Sequence, residues 1–314
     1  MKKSLFTIIL ASLLTLTACS PAADTKENSD AAPTEATTEA TTEAVTEAAT
    51  EAPTEKSTEN VIEDSSATEK KFTCYVDGQR VGGRLYHPEG EGPFPTIVFV
   101  PGMGMNYYLY AELFENLNSE GIAVAAFDCR GNAPTSSVSD GKFIEMTVSS
   151  CKADIKTVSD FISAYQMVDS ENLFLMGHSL GGFNGALVAA ENPDLFKGMI
   201  GYDPAFQTPD ESRELFSEEP ETYILDGAEI CETFAKELMA IDLTESIKSY
   251  NGNTIILTGT GEAIYSLAPE IMDAAAEALP NGELIVVEGA DHFFNENFEE
   301  LIQYTVDFVK ENTD

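Results

Sequence analysis

Only three histidines, His87, His178 and His292, occur in the 314 residues, so chemistry that needs an imidazole has few candidates. Cationic side chains are also scarce: 17 Lys and Arg stand against 54 Asp and Glu, a net charge of −37. Such a surface repels phosphate backbones and anionic headgroups, which excludes a role in tracking nucleic acid. Cys74, Cys129, Cys151 and Cys231 show no metal-ligand spacing, and no Gly-rich phosphate loop or His cluster is present. No metal and no cofactor are therefore expected. Export would permit disulfides, but these four cysteines read mostly as buried free thiols. The N-terminal apolar run, Leu5 to Leu16, is too short to cross a bilayer as a stable helix.

That run follows Lys2 and Lys3 and reads as a signal peptide. Its end, Leu16-Thr17-Ala18-Cys19, resembles a bacterial lipobox. The resemblance implies cleavage before Cys19 and a diacylglycerol thioether on it, holding the protein at the extracytoplasmic face of the cell membrane. Residues 1–18 are then the signal and 19–70 a tether in which Thr-Glu-Ala recurs every four residues. Glutamates four apart repel along a helix and nothing apolar is available to bury, so the tether is expected to be disordered. Residues 71–314 suit one domain of α/β class, with strands and helices alternating into a mostly parallel sheet covered on both faces. Phe72 to Tyr86 breaks that pattern and reads as an antiparallel hairpin turning at Asp77-Gly78.

The chemistry concentrates in Gly177-His178-Ser179-Leu180-Gly181. A strand-length apolar run precedes it and a helix-compatible segment follows, which pushes the serine hydroxyl clear of the backbone. A serine needs a base and an orienting carboxylate. His178 adjoins Ser179, should point away from it, and reads as a histidine packed under the turn. His87, before Pro88, reads as surface or edge. His292, after the strand-like Leu284 to Val287 and a Gly-containing turn, is the expected base. For the acid, Glu262 follows the short strand Thr254 to Thr258 and is favoured, with Asp203, after Gly198 to Tyr202, as the alternative. Asp291 adjoins the histidine and should point away.

The order Ser, acid, His, each after its own strand, resembles the α/β-hydrolases. Val98-Phe99-Val100-Pro101-Gly102-Met103-Gly104 is similar to that family's oxyanion loop, with Pro101 where His is usual. Asp128-Cys129-Arg130-Gly131 resembles its Asp-x-Arg-Gly turn, and Gly289-Ala290-Asp291-His292 its base loop. The resemblance implies an oxyanion hole made by the backbone N–H groups of Leu180 and Met103.

About 50 residues separate Tyr202 from Thr254, where these enzymes carry a cap, here about 207–253. Asp203-Pro204-Ala205-Phe206 and Ser246 to Gly252 resemble the cap boundaries of bacterial feruloyl esterases. That likeness implies a carboxylic-ester hydrolase acting on a small-molecule or polysaccharide-linked ester. Phe206 and Tyr223 either line an acyl pocket or pack. Serine aminopeptidases and monoacylglycerol lipases of the same fold stay open, as does a tethered binding protein. An acidic cap (Asp210, Glu211, Glu214, Glu218, Glu219) could hold a free amine.

Overall fold

Asp77 and Gly78 have φ of 53° and 76°, the two left-handed residues that a tight hairpin turn requires. The structure is a computed structural model and describes residues 59–133 and 137–313. The turn joins β2 (Glu69–Val76) to β3 (Gln79–Tyr86), antiparallel in register from Glu69↔Tyr86 to Val76↔Gln79. Ordered structure begins earlier than the expected boundary at Lys71. β1 (Val61–Asp64) pairs antiparallel with β2, setting Ile62 opposite Phe72. Ile62 packs on the core and Lys70 pairs with Asp64, so β1 and the turn that joins it to β2 belong to the folded domain and the tether is corrected at that end. Charged residues on an edge strand hide it from a reading based on composition. Cys19, the signal and the tether up to residue 58 lie outside the described residues.

The other strands of the main sheet are β4 (Phe94–Val100), β5 (Ala123–Phe127), β6 (Val168–His178) and β7 (Gly198–Tyr202). A separate hairpin, β8 (Tyr223–Leu225) and β9 (Ala228–Ile230), precedes β10 (Asn253–Gly259) and β11 (Gly282–Val287). The nine-stranded sheet runs β1-β2-β3-β5-β4-β6-β7-β10-β11, parallel from β5 to β11. Both faces are covered, as apolar parallel strands require. Along β4, Val98 and Val100 join one apolar cluster while Ile97 and Phe99 join the other, the alternation a strand imposes. Helices α1 (Ala111–Ser119), α2 (Val148–Ser163) and α3 (Leu180–Glu191) follow β4, β5 and β6.

Register decides where the loops emerge. Val100 pairs with Gly177, His178 with Tyr202, Tyr202 with Leu257, and Gly259 with Val287. The loops after β4, β6, β7, β10 and β11 therefore leave one edge of the sheet side by side.

Between β7 and β10, over the span expected to form a cap, the chain builds an insertion. It comprises α4 (Thr208–Leu215), the β8–β9 hairpin, α5 (Glu232–Ala240) and α6 (Leu243–Ile247). Phe206, Phe216, Tyr223, Phe234 and Leu238 are buried, and the Phe216 and Tyr223 rings meet edge-on at 5.2 Å. Arg213 ties α4 to α5 through the carbonyls of Met239 (3.0 Å) and Ile241 (2.8 Å). The Glu237 carboxylate receives Ser149 N (3.0 Å) and Oγ (2.7 Å), fastening the cap to α2. After β10 come α7 (Ile264–Leu267) and α8 (Pro269–Ala278), and after β11 α9 (Phe298–Asn312).

Candidate functional site

Ser179 stands between β6 and α3 with φ 53° and ψ −123°, a conformation that a non-glycine residue holds only when its surroundings enforce it. The enforcement is visible. Ser179 N donates to Tyr202 O at 3.0 Å, and its carbonyl accepts from Ala205 N (2.9 Å) and Phe183 N (3.1 Å). A Cβ on Gly177 would lie 2.4 Å from the Gly181 carbonyl oxygen, and one on Gly181 would lie 2.3 Å from that of Val100. No side chain fits at either place, so β6, α3 and the loop after β4 close tightly on the turn. Ser179 remains partly exposed.

His292 N donates to Glu262 O at 2.9 Å, and the ring is buried. Its Nδ1 is hydrogen-bonded to Asp203 Oδ2. Asp203 is fully buried with φ 37° and also receives Thr258 Oγ1 and Ile264 N, the latter at 3.1 Å to Oδ2. The expected partner, Glu262, is corrected here: its side chain is exposed, and it serves the histidine through its carbonyl. Asp203, the alternative, holds the imidazole. The physical reason lies at the end of β10 and the start of α7, where the Thr258 hydroxyl and the Ile264 N–H turn inward to solvate a carboxylate arriving from β7.

The carboxylate can only accept, so His292 carries its proton on Nδ1 and leaves Nε2 available as a base. Leu180 opens α3, where the first N–H groups have no intrahelical acceptor. Among the described residues no backbone or side-chain group accepts from Leu180 N or Met103 N, and both belong to segments that meet at Ser179. A Cβ on Gly102 would come within 3.2 Å of Ser179 Cβ.

Two further residues brace this edge, and the sequence analysis did not single them out. Asn132 is buried and gives both Nδ2 hydrogens to the oxyanion-type loop, to Gly102 O and Met105 O at 2.9 Å each. Tyr110 Oη lies 2.7 Å from His178 Nδ1, and His178 Nε2 lies 3.0 Å from His292 O. A carbonyl only accepts, so His178 donates from Nε2 and receives Tyr110 O–H at Nδ1. Burial and the nearby His292 hold the His178 pKa well below its ordinary value, so it is a neutral strut. The loop thus gains from Asn132 and Tyr110 the support that Pro101 does not give. Asn132 directly follows the Asp-x-Arg-Gly resemblance, which gave it no role, and Tyr110 had no motif to mark it.

Asp291 points away from the imidazole, accepting Phe293 N and Asn295 N at 3.0 Å each. His87 is buried rather than exposed, with Nδ1 2.8 Å from Pro88 O. Cys74, Cys129 and Cys151 are buried and free, and Cys231 is free and half-buried. In the cap, burial raises the pKa of Asp226, where the charge of His292 opposes it. The Asp226 Oδ1 has no partner among the described residues. Burial and the adjacent Asp226 charge push Glu211 up to about 7.

The family described as "Serine aminopeptidase, S33" matches residues 91–238. Mouse (Mus musculus) monoglyceride lipase is 32% identical over 130 residues, 41% of this chain and 41% of that protein, so the match takes in less than half of the relative's length. Among solved structures, Est1E from Butyrivibrio proteoclasticus with bound ferulic acid superposes with a TM-score of 0.68. It is 22% identical and the match covers 76% of this chain and 98% of that one. The monoacylglycerol lipase of Paleococcus ferrophilus gives 0.57 at 21% identity, over 74% and 99%. The fold is that of the α/β-hydrolases.

Proposed function

We propose that this protein hydrolyses carboxylic esters through an acyl-enzyme on Ser179. The observation that carries this reading is the Asp203–His292 contact, at the sheet edge where Ser179 is held in its strained turn. In the proposed reaction Ser179 Oγ attacks the carbonyl carbon while its proton passes to His292 Nε2. The carbonyl electrons move onto oxygen, which the N–H groups of Leu180 and Met103 receive. Collapse expels the alcohol, which takes the proton from His292, and water then releases the acid by the same steps. Asp203 keeps the imidazole in the required tautomer and balances its charge while it is protonated.

The cap supports short or aryl acyl groups over long chains, because its large apolar side chains are spent on its own packing. The likeness to a structure that holds ferulic acid agrees with that preference. A second reading, cleavage next to a free amine, draws on the half-buried carboxylates Asp226 and Glu211 and on the aminopeptidase family match. The lipobox-like ending at Cys19 supports an enzyme anchored by lipid outside the cytoplasm.

The test has two parts. A fluorophosphonate probe should label the protein and fail on Ser179→Ala; equal labelling of both would sink the assignment. Methyl ferulate and p-nitrophenyl acetate should be cleaved well and p-nitrophenyl palmitate poorly. Aminoacyl-anilides that outrun every ester would move the function to the second reading.

A further inference from the structure

A groove of about 630 Å³ opens on the side of the site away from the cap, between the start of α1 and the start of α9. Tyr110, Tyr202 and the half-buried Phe298 line it, and its rim carries the carboxylates of Glu112, Glu296 and Glu299. Among the described residues no Lys or Arg lines it. All three glutamates are exposed, and none is ion-paired among the described residues.

The groove adjoins the reacting atoms by short chain distances. Met105, on its wall, lies two residues beyond Met103, and Phe293 follows His292 directly. Tyr202, whose carbonyl accepts from Ser179 N, donates its hydroxyl to Phe293 O at 2.6 Å. The groove therefore runs outward between the loop that carries Met103 and the loop that carries His292.

We infer that this groove receives the alcohol half of the ester and favours alcohols that carry a positive charge. The inference rests on the proposed acyl-enzyme reading. In that reaction the leaving oxygen must face His292, which returns the proton to it. The alcohol then extends past the base loop, away from the cap, while the acyl group lies beneath the cap. The half-buried Phe298 ring attracts a quaternary ammonium group through its quadrupole, and three carboxylates that make no ion pair add a field of the same preference. Among the described residues, none that lines the groove supplies a cation to bind an anionic alcohol.

The experiment compares two acetate esters of nearly equal shape and the same acyl group, acetylcholine and 3,3-dimethylbutyl acetate. At low ionic strength kcat/KM should favour acetylcholine by roughly tenfold, the scale of a partly desolvated cation–π contact. The ratio should shrink in 0.5 M NaCl, since screening at that strength reaches within a few ångströms. In the Glu112→Gln/Glu296→Gln/Glu299→Gln protein the ratio should fall toward one, and in Phe298→Ala it should fall as well. Equal rates for the two esters in the wild type, or a ratio unchanged by the substitutions, would overturn the subsite while leaving the ester reaction standing. Turnover of neither ester, together with no labelling of Ser179, would remove both.

Discussion

His292 and Asp203 lie 89 positions apart in the chain, yet Nδ1 of one is hydrogen-bonded to Oδ2 of the other inside a shell closed by Thr258 and Ile264. Thr258 at the end of β10 and Ile264 at the start of α7 provide that shell, while the loop between them keeps its own acid, Glu262, in solvent. Asp203→Asn should cut kcat by roughly 10³–10⁴-fold, because the amide favours the wrong imidazole tautomer. Glu262→Gln should stay within a few-fold of wild type. Steady-state kinetics on p-nitrophenyl acetate decide this, and the reverse ranking would return the acid to Glu262.

Tyr110 and His178 form the next link inward, 2.7 Å apart and buried. Tyr110→Phe leaves His178 Nδ1 buried without a donor, a loss of about 1–3 kcal/mol. Urea unfolding should show a lower midpoint at unchanged slope. A midpoint equal to wild type would mean that His178 finds another donor.

Glu211 makes stability depend on pH in a stated direction. Its ordinary value is 4.5, and in the fold it titrates at about 7. Between those values the unfolded chain releases a proton that the folded chain retains, so folding is penalised increasingly as pH rises and fully above about 7. Below about 4.5 both states hold the proton and the penalty vanishes. Glu211→Gln should therefore raise the unfolding midpoint at pH 8 more than at pH 4. Equal shifts at the two pH values would show that its surroundings do not raise the pKa of Glu211.

Cys19 is the expected lipid attachment point. In cells, Cys19→Ser should appear in the soluble fraction or remain unprocessed at the higher mass of the precursor. Normal processing with full membrane retention would discard the lipobox reading.

The sequence by itself determined the elements that local physics controls. Strand-length apolar runs, the Asp77-Gly78 turn and the glycines flanking Ser179 are each legible because their constraint acts within a few residues. The order of motifs was enough to bring Ser179 and His292 to one edge, since parallel strands joined by crossovers emit their C-terminal loops on the same side. Which carboxylate meets the histidine was different. Asp203 and Glu262 leave neighbouring strands at the same edge, β7 and β10, and the choice rests on which one turns inward to the donors of Thr258 and Ile264. The same holds for Asn132 and Tyr110, whose partners lie 30 and 68 positions away, and for β1, whose charged residues conceal a strand until β2 pairs with it. Contacts between side chains distant in sequence depend on register and loop direction, and only the assembled sheet supplies those.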